Sequence, residues 1–179
     1  MSVVPGHVQD HAHRGPGRGG GAGAFPTGRC VTAGRVDAAF ARANGHYVFN
    51  HTVTHPHLTR LSYADVLTEL GAPGIQTTYG RPPYGQWNTT VQNAYAAKEM
   101  RIWLWNLDTF DYNGYTATQV VSTVVNGAKP GDAVLMHMNW NAFNGPAIRA
   151  MKAGLAERGI GVCRNQGVQT PQRPTALVC

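Results

Sequence analysis

The segment HYVFNHTVTHPH, residues 46–57, joins a short apolar run to a polar loop that carries three histidines. The run HYVFN is typical of a strand, because aromatic and β-branched residues favour extended backbone. The preceding DAAFARAN predicts a helix that ends at Gly45. A helix, a strand and a polar loop therefore follow one another in the chain.

The same alternation continues toward the carboxyl end. Further helices are predicted at residues 62–70, 89–99, 116–126 and 146–158, where capping side chains or glycines mark an end of each helix. Strands are predicted at residues 75–79, 102–107, 132–138 and 160–163. Alternating strands and helices imply parallel strands joined by helical crossovers, so the fold class is α/β, either a doubly wound sheet or a barrel.

Four polar clusters follow predicted strands: HTVTH, RPPYG, DTFD and the segment around His137. The carboxyl ends of parallel strands lie at one rim of an α/β fold, and ligands bind there. We therefore expect the four clusters to converge on one site.

His51 and His55 lie four residues apart. In a strand this spacing separates two residues by about 13 Å, whereas in a helical turn it separates them by about 6 Å along the axis. Both imidazoles can reach one metal ion at roughly 2.0 to 2.1 Å only in the second case. The pair predicts a metal site if the loop is a turn, and otherwise two surface histidines.

The other clusters each have a structural alternative. Arg81 in RPPYG can orient a carboxylate, but the segment is also an ordinary Pro-Gly turn. Asp108 and Asp111 fit turn residues or helix caps. His137 alternates with apolar neighbours in VLMHM and fits a core histidine.

Taken together, the order HTVTH, RPPYG, DTFDY and LMH resembles the polysaccharide deacetylase family over residues 37 to 163. This family is also called carbohydrate esterase family four or the NodB-homology domain, and it includes chitin, peptidoglycan and acetylxylan deacetylases. The resemblance implies an incomplete or distorted (β/α) barrel and a secreted, metal-dependent hydrolase. Such an enzyme removes acetyl groups from a polysaccharide such as chitin, with zinc as the expected divalent metal.

The resemblance also implies a role for individual residues. His51 and His55 would bind the metal, Arg81 would orient the catalytic base, and the backbone amide of Tyr84 would help to hold the oxyanion. Asp111 would favour the protonated form of His137, the general acid for the leaving group. The remaining expected substrate contacts are Leu135 at the acetyl methyl group, Tyr112 where the family has Trp, Pro83 and Trp140.

The first motif of the family, Thr-Phe-Asp-Asp, is not found before His51. It would supply the general base and a third metal ligand. The only acids in this region are Asp10 and Asp37. Asp37 fits the first turn of a helix better than it fits a general base or metal ligand. We therefore expect weaker metal binding and impaired activity, and a noncatalytic carbohydrate-binding relic of the same fold is the alternative function.

Composition predicts a low-complexity, disordered segment at 1–34. The resemblance implies a deacetylase-like domain at 35–165, which is followed by a tail at 166–179. The net charge of +6 and the Arg- and Gly-rich head are a weak basis for RNA binding, so no nucleic-acid partner is expected. We expect a monomer with no membrane span and no signal peptide in the chain, although the resemblance implies an extracellular location. Cys163 and Cys179 either form a disulfide or are unpaired thiols.

Overall fold

The computed structural model describes residues 2–5, 8–10, 22–44, 46–75, 77–165 and 177–178. These residues form two compact units. The first unit contains the described residues before Ala24 and those from Trp105 onward, and the second contains Ala24–Leu104.

The described residues contain six α-helices, most of them opened by a side chain that accepts a hydrogen bond from the first turn. They are α1 (Gly28–Thr32), α2 (Ala38–Ala43), α3 (Tyr63–Glu69), α4 (Thr89–Ala97), α5 (Ala117–Gly127) and α6 (Gly145–Glu157). The predicted caps Ser62 and Asn88 are confirmed, and Thr116 forms a complete capping box with Gln119. Asp37 caps α2 through Phe40 N, as expected of an acid at a helix start.

The strands are short. They are β1 (Ser2–Pro5), β2 (Val8–Asp10), β3 (Ala22–Phe25), β4 (Tyr47–Val48), β5 (Tyr79–Gly80), β6 (Arg101–Ile102), β7 (Leu107–Asp108), β8 (Val134–His137), β9 (Ile160–Val162), β10 (Arg164–Asn165) and β11 (Leu177–Val178). The strand predicted at 75–79 is reduced to β5, at its carboxyl end.

The prediction of one continuous strand at 102–107 is wrong. The run divides into β6, which pairs in parallel with β5, and β7, which pairs in parallel with β8. Between them, the carbonyls of Trp103 and Leu104 accept hydrogen bonds from the side chain of Arg81. An apolar pattern predicts burial of this run, but it does not reveal that a buried guanidinium takes up its backbone acceptors.

In the first unit, β8 lies between β7 and β1, with β7 parallel and β1 antiparallel to it. The antiparallel pairs β2–β9 and β10–β11 complete the described strands of this unit. Helices α5 and α6 pack together over a core that includes Val120, Val124, Met136 and Met151. The core therefore supports the strand that ends at His137.

In the second unit, β5 pairs with β6, and Asn50 forms a parallel bridge with Gly80. One core cluster lies around Leu58, Val66 and Tyr95, and a smaller one includes Val48 and Ile75. The chain leaving β4 is thereby brought beside the chain leaving β5. This arrangement brings the HTVTH loop and the RPPYG loop together.

The predicted disorder of residues 1–34 is corrected for residues 22–34. Here β3 and α1 are formed, and Phe25 is completely buried. The amides of Gly28 and Arg29 donate to the carbonyls of Thr52 and Val53, so the segment is an integral part of the second unit. Its small residues and glycines allow this close backbone contact, which a measure of sequence complexity does not register.

The α/β class is confirmed, and the described strands do not form a closed barrel. Of the helices that the structure describes, none combines the length and apolarity that a membrane crossing requires. Cys163 is disulfide-bonded and Cys30 is a free thiol. The predicted partner Cys179 lies outside the described residues, as does most of the predicted tail at 166–179.

Candidate active site

The loop that follows β4 is a tight turn, as the metal-site prediction requires. We call residues 50–55 the histidine turn. Thr52 and His55 both have left-handed backbone conformations, with φ of 66° and 68°. This brings the ring centroids of His51 and His55 to 4.7 Å from each other, with the rings nearly perpendicular. Two imidazoles at this separation can share one metal ion.

Side chains from outside and inside the turn hold its backbone amides. Glu69, at the end of α3, accepts hydrogen bonds from the amides of Val53 and Thr54 at 3.0 and 2.8 Å and from the Thr54 hydroxyl at 2.7 Å. The side chain of Asn50 accepts from Thr52 N and donates to Leu70 O. The conformation of the turn is thus maintained by several polar contacts, which offset the strain of left-handed residues.

His51 is buried, with 3% of its surface exposed. Its Nδ1 lies 2.7 Å from the carbonyl oxygen of Arg81, so Nδ1 carries the proton and donates it to this carbonyl. Burial lowers the pKa of His51 to about 3, because the charged form is poorly solvated there. Because His51 is buried, it is not a surface histidine. A neutral imidazole whose Nδ1 donates to a carbonyl can offer its Nε2 to a metal ion.

Arg81 is also buried, and its guanidinium lies 3.8 Å from the centre of the Phe25 ring. Its Nε donates to Trp103 O at 3.1 Å and its Nη2 donates to Leu104 O at 3.4 Å. Desolvation lowers the pKa of Arg81 to about 9. The guanidinium is therefore fixed by backbone carbonyls and an aromatic face, and its orientation of a carboxylate stays a prediction.

The RPPYG loop forms a short 3-10 helix, Pro83–Gly85, in which Tyr84 has a φ of 60°. Pro83 is buried, whereas Tyr84 is 54% exposed. The Tyr84 ring meets His55 edge to face at 4.9 Å and stacks on His57 at 4.0 Å. The loop is thus more than a generic turn, because it places an exposed aromatic ring beside the histidine turn.

In the first unit, Asp111 and His137 form a bonded pair. Asp111 Oδ1 lies 2.7 Å from His137 Nδ1, and Asp111 Oδ2 accepts from His137 N at 2.6 Å. The Asp111 side chain is completely buried, while that of His137 is 23% exposed. A bidentate contact of this kind fixes the orientation of the ring and places the proton of the ring on Nδ1. His137 is therefore not a core histidine among apolar side chains.

Neighbouring residues shape this pair. Thr109 donates its hydroxyl proton to Leu135 O at 2.8 Å, which joins the DTFDY loop to β8. Asp108 accepts from Phe110 N and from the hydroxyl of Tyr112, so it is a turn residue, as its alternative interpretation proposed. The Tyr112 ring meets His137 edge to face at 5.3 Å. Burial and the hydrogen bond to Asp108 raise the pKa of Tyr112 to about 12.

The two remaining predicted contacts also lie in the first unit. Leu135 is buried in β8, two residues before His137. Trp140 is 38% exposed, and its amide donates to His137 O. Their contact with a substrate stays a prediction, as does the convergence of all ten predicted residues on one site.

The donor set of the histidine turn fits a divalent metal in its chemistry but supplies only two imidazoles. Among the residues that the structure describes, no group of three or more His, Cys, Asp or Glu side chains is placed to hold a metal ion. Neutral imidazole nitrogens suit zinc. Two protein ligands would bind it more weakly than the three of a typical catalytic zinc site.

Sequence reasoning missed the residues that build the turn, namely Glu69, Asn50 and Phe25. Glu69 lies 15 residues from Thr54 in the chain, and no local pattern connects them. Asn50 stands directly before His51. Asparagine is favoured in tight turns, so this residue is the one local sequence signal for the histidine turn.

The chain is similar to known proteins over much of its length. The family model described as polysaccharide deacetylase matches residues 21–103. The bifunctional xylanase/xylan deacetylase of Cellvibrio japonicus is 34% identical over 123 residues, which are 63% of this chain and 18% of that protein. A Bradyrhizobium chitooligosaccharide deacetylase is 33% identical over 53% of this chain and 48% of its own length.

Solved structures extend the likeness to most of the chain. A family 4 carbohydrate esterase from Streptomyces lividans, in complex with acetate, is 28% identical with a TM-score of 0.67, covering 78% of this chain and 76% of that one. The chain is therefore similar to members of the polysaccharide deacetylase family. A mutant pseudoenzyme of the family with restored activity is 26% identical with a TM-score of 0.69, covering 78% and 53%. The family match begins at residue 21, within the segment that composition assigned to disorder.

The chain spans less than half the length of the two curated relatives described above. The relatives are named as deacetylases of xylan and of chitooligosaccharides.

Proposed function

We propose that this chain is a divalent-metal-dependent polysaccharide deacetylase, with zinc as the metal and an N-acetylated, chitin-like glycan as the substrate. The observation that carries the proposal is the histidine turn, in which two imidazoles lie 4.7 Å apart and one has its Nδ1 engaged by a backbone carbonyl. The chitin-like substrate is supported by the chitooligosaccharide deacetylases among its relatives.

His51 and His55 would hold the metal. A bound divalent ion would act as a Lewis acid on the acetyl carbonyl and lower the pKa of a bound water. The neutral form of His51, favoured by burial, keeps that ligand available without competition from a proton.

Hydrolysis of an N-acetyl group breaks the bond between the carbonyl carbon and the nitrogen, and the leaving amine needs a proton. His137 is suited to give it, because Asp111 holds Nδ1 and leaves the Nε2 proton for transfer. The two hydrogen bonds that Asp111 accepts also fix the orientation of the ring for this transfer. After transfer the products are acetate and a free amino sugar.

We propose that activity is impaired. Of the two acids before His51, Asp37 is occupied as the cap of α2, and the side chain of Asp10 lies outside the described residues. Neither acid is therefore assigned as the general base, and loss of a general base lowers a rate by roughly 10² to 10⁴. We further propose an extracellular site of action, since the substrates named for the relatives are polysaccharides.

The experiment is an acetate-release assay on chitin oligomers, acetylxylan and peptidoglycan, with the protein first stripped by a chelator and then supplied with zinc. We expect slow, zinc-dependent release that is fastest on chitin oligomers. Release from acetylxylan alone would retain the activity and reject the substrate assignment. No acetate from any of the three would reject catalysis by this chain.

A noncatalytic carbohydrate-binding function is the second proposal. Tyr112 meets His137 edge to face, and the exposed ring of Phe110 contacts both Tyr112 and Tyr115. Exposed aromatic rings of this kind stack on sugars. The likeness to a family pseudoenzyme also supports it. Saturable binding of chitin oligomers without acetate release, lost in a Tyr112→Ala variant, is the result that favours this function.

A further inference from the structure

His57 is not assigned a role in the proposed deacetylase site, although it lies two residues after His55. Its ring stacks on the Tyr84 ring with centroids 4.0 Å apart and an angle of 12° between the planes. Parallel stacking at this distance is a full face contact between the two rings. It covers one face of an otherwise exposed tyrosine.

A second contact fixes the His57 ring. Its Nδ1 lies 3.0 Å from Gln86 Oε1, and Gln86 follows Tyr84 by two residues in the same loop. His57 therefore contacts the RPPYG loop at two points, one aromatic and one polar. These contacts hold the imidazole from both its face and its edge.

The residue that receives these contacts is conformationally strained. Tyr84 has a φ of 60°, a left-handed conformation that a non-glycine residue keeps only where its surroundings hold it there. Its ring also meets His55 edge to face at 4.9 Å. Tyr84 is thus held between His57 and His55, and His57 is the partner that lies flat against it.

We propose that His57 is a positioning residue for Tyr84. By stacking on the ring and bonding to Gln86, it keeps Tyr84 in the left-handed conformation and so fixes the direction of the Tyr84 backbone amide. The inference rests on the proposed function for its effect on rate, because that amide is the expected oxyanion donor. Its effect on the Tyr84 ring does not depend on activity.

Three variants separate the two contacts. His57→Ala removes both, His57→Phe keeps the stacked ring and loses the bond to Gln86, and Gln86→Ala removes only the bond. Gln92→Ala, an exposed glutamine of α4, is the matched control. The zinc-loaded full chain is assayed on a chitin oligomer for kcat and KM, and thermal unfolding is recorded for each variant.

Losing an oxyanion donor costs about 10² to 10³ in kcat, so displacing one by loss of its support should cost about tenfold. We expect His57→Ala to lower kcat about tenfold with little change in KM, while His57→Phe and Gln86→Ala stay within about threefold of the parent chain. An equal loss in His57→Phe and His57→Ala would overturn the stacking role. So would an unchanged kcat in His57→Ala.

Nitration of Tyr84 by tetranitromethane, followed by peptide mass spectrometry, gives a readout without catalysis. Removing the stacked ring exposes a second face, so His57→Ala should raise the Tyr84 nitration rate at least about twofold, with Tyr115 unchanged as the internal reference. If even the parent chain releases no acetate, the proposed function fails and nitration alone decides the role of His57. An unchanged Tyr84 rate then overturns it.

Discussion

The histidine turn and the Asp111–His137 pair hold their imidazole side chains by different kinds of contact. In the turn, His51 is buried and bonded to a backbone carbonyl, and the surrounding amides are held by Glu69 and Asn50. In the pair, His137 is partly exposed and held by one buried carboxylate through its ring and its amide. His51 is thus kept neutral by burial, whereas the ring and amide of His137 are both held by a buried carboxylate.

The hydrogen-bond partners of the two histidines differ in charge. A carbonyl oxygen carries only a partial charge and cannot offset the desolvation of an imidazolium, so His51 stays neutral. A carboxylate carries a full charge, and Asp111 accepts hydrogen bonds from both the ring and the backbone amide of His137. The two proposed roles, metal ligand for His51 and general acid for His137, assign the same type of side chain to these two different environments.

Replacement of His137 gives the largest expected effect. His137→Ala removes the only proposed proton donor for the leaving amine, so acetate release should fall by roughly 10² to 10⁴. Zinc affinity should not change, because the proposed ligands are His51 and His55. Parallel acetate assays and zinc titrations check this, and a loss of zinc affinity equal to that of His51→Ala would remove the distinction between the two regions.

The second largest expected effect is on the pH dependence of stability, through His51 in the histidine turn. In metal-free protein the pKa of His51 is about 3, against about 6.5 in the unfolded chain, so the unfolded chain binds more protons between these values. The free energy of unfolding should therefore fall as the pH drops from about 6.5 toward 3, by at most about 1.4 kcal/mol per pH unit. Above pH 6.5, His51 is neutral in both states and makes no pH-dependent difference.

His51→Gln keeps a donor for Arg81 O but cannot titrate. Urea unfolding at several pH values should therefore show a shallower decline for this variant than for the parent chain. Parallel declines in the two proteins would mean that His51 is not held in its neutral form.

Glu69 tests whether the turn depends on its side-chain support. It accepts three hydrogen bonds from Val53 and Thr54, and bonds to a charged acceptor are worth about 1.5 to 3 kcal/mol each when well shielded. Because these groups are partly exposed, Glu69→Ala should lower the free energy of unfolding by about 1 to 3 kcal/mol in total and weaken zinc binding. Glu157→Ala at the exposed end of α6 is the control, and equal effects in both would contradict the role.

The smallest expected effect is at the start of α5, away from either group of imidazoles in sequence. Thr116→Ala removes one half of a capping box, which should cost about 1 kcal/mol of stability. Acetate release per folded molecule should stay unchanged, as measured below the unfolding transition. A tenfold drop in the rate per folded molecule would contradict this prediction and would show that the start of α5 affects catalysis.

Elements with local signals were predictable from the sequence. The caps Ser62, Asn88 and Thr116 act through neighbours three residues away, so their patterns are complete within one turn of chain. The spacing of His51 and His55 required a turn, and the structure contains one. The α/β class followed from the same local alternation.

Features that depend on distant partners were not predictable in this way. Where the run 102–107 divides, Arg81, more than 20 residues away, donates hydrogen bonds to the carbonyls of Trp103 and Leu104. The support of the turn by Glu69 and the packing of Phe25 against Arg81 also join distant parts of the chain. Composition misjudged residues 22–34, since glycine there permits close backbone contact instead of disorder.

The measurement that tests the central claim most directly is a zinc titration of the chelator-stripped chain, compared with His51→Ala, His55→Ala and His137→Ala. We predict that the parent chain and His137→Ala bind zinc with equal affinity, and that each of the other two variants binds at least about tenfold more weakly. Equal zinc affinity in all four proteins would contradict the assignment of the histidine turn as the metal site.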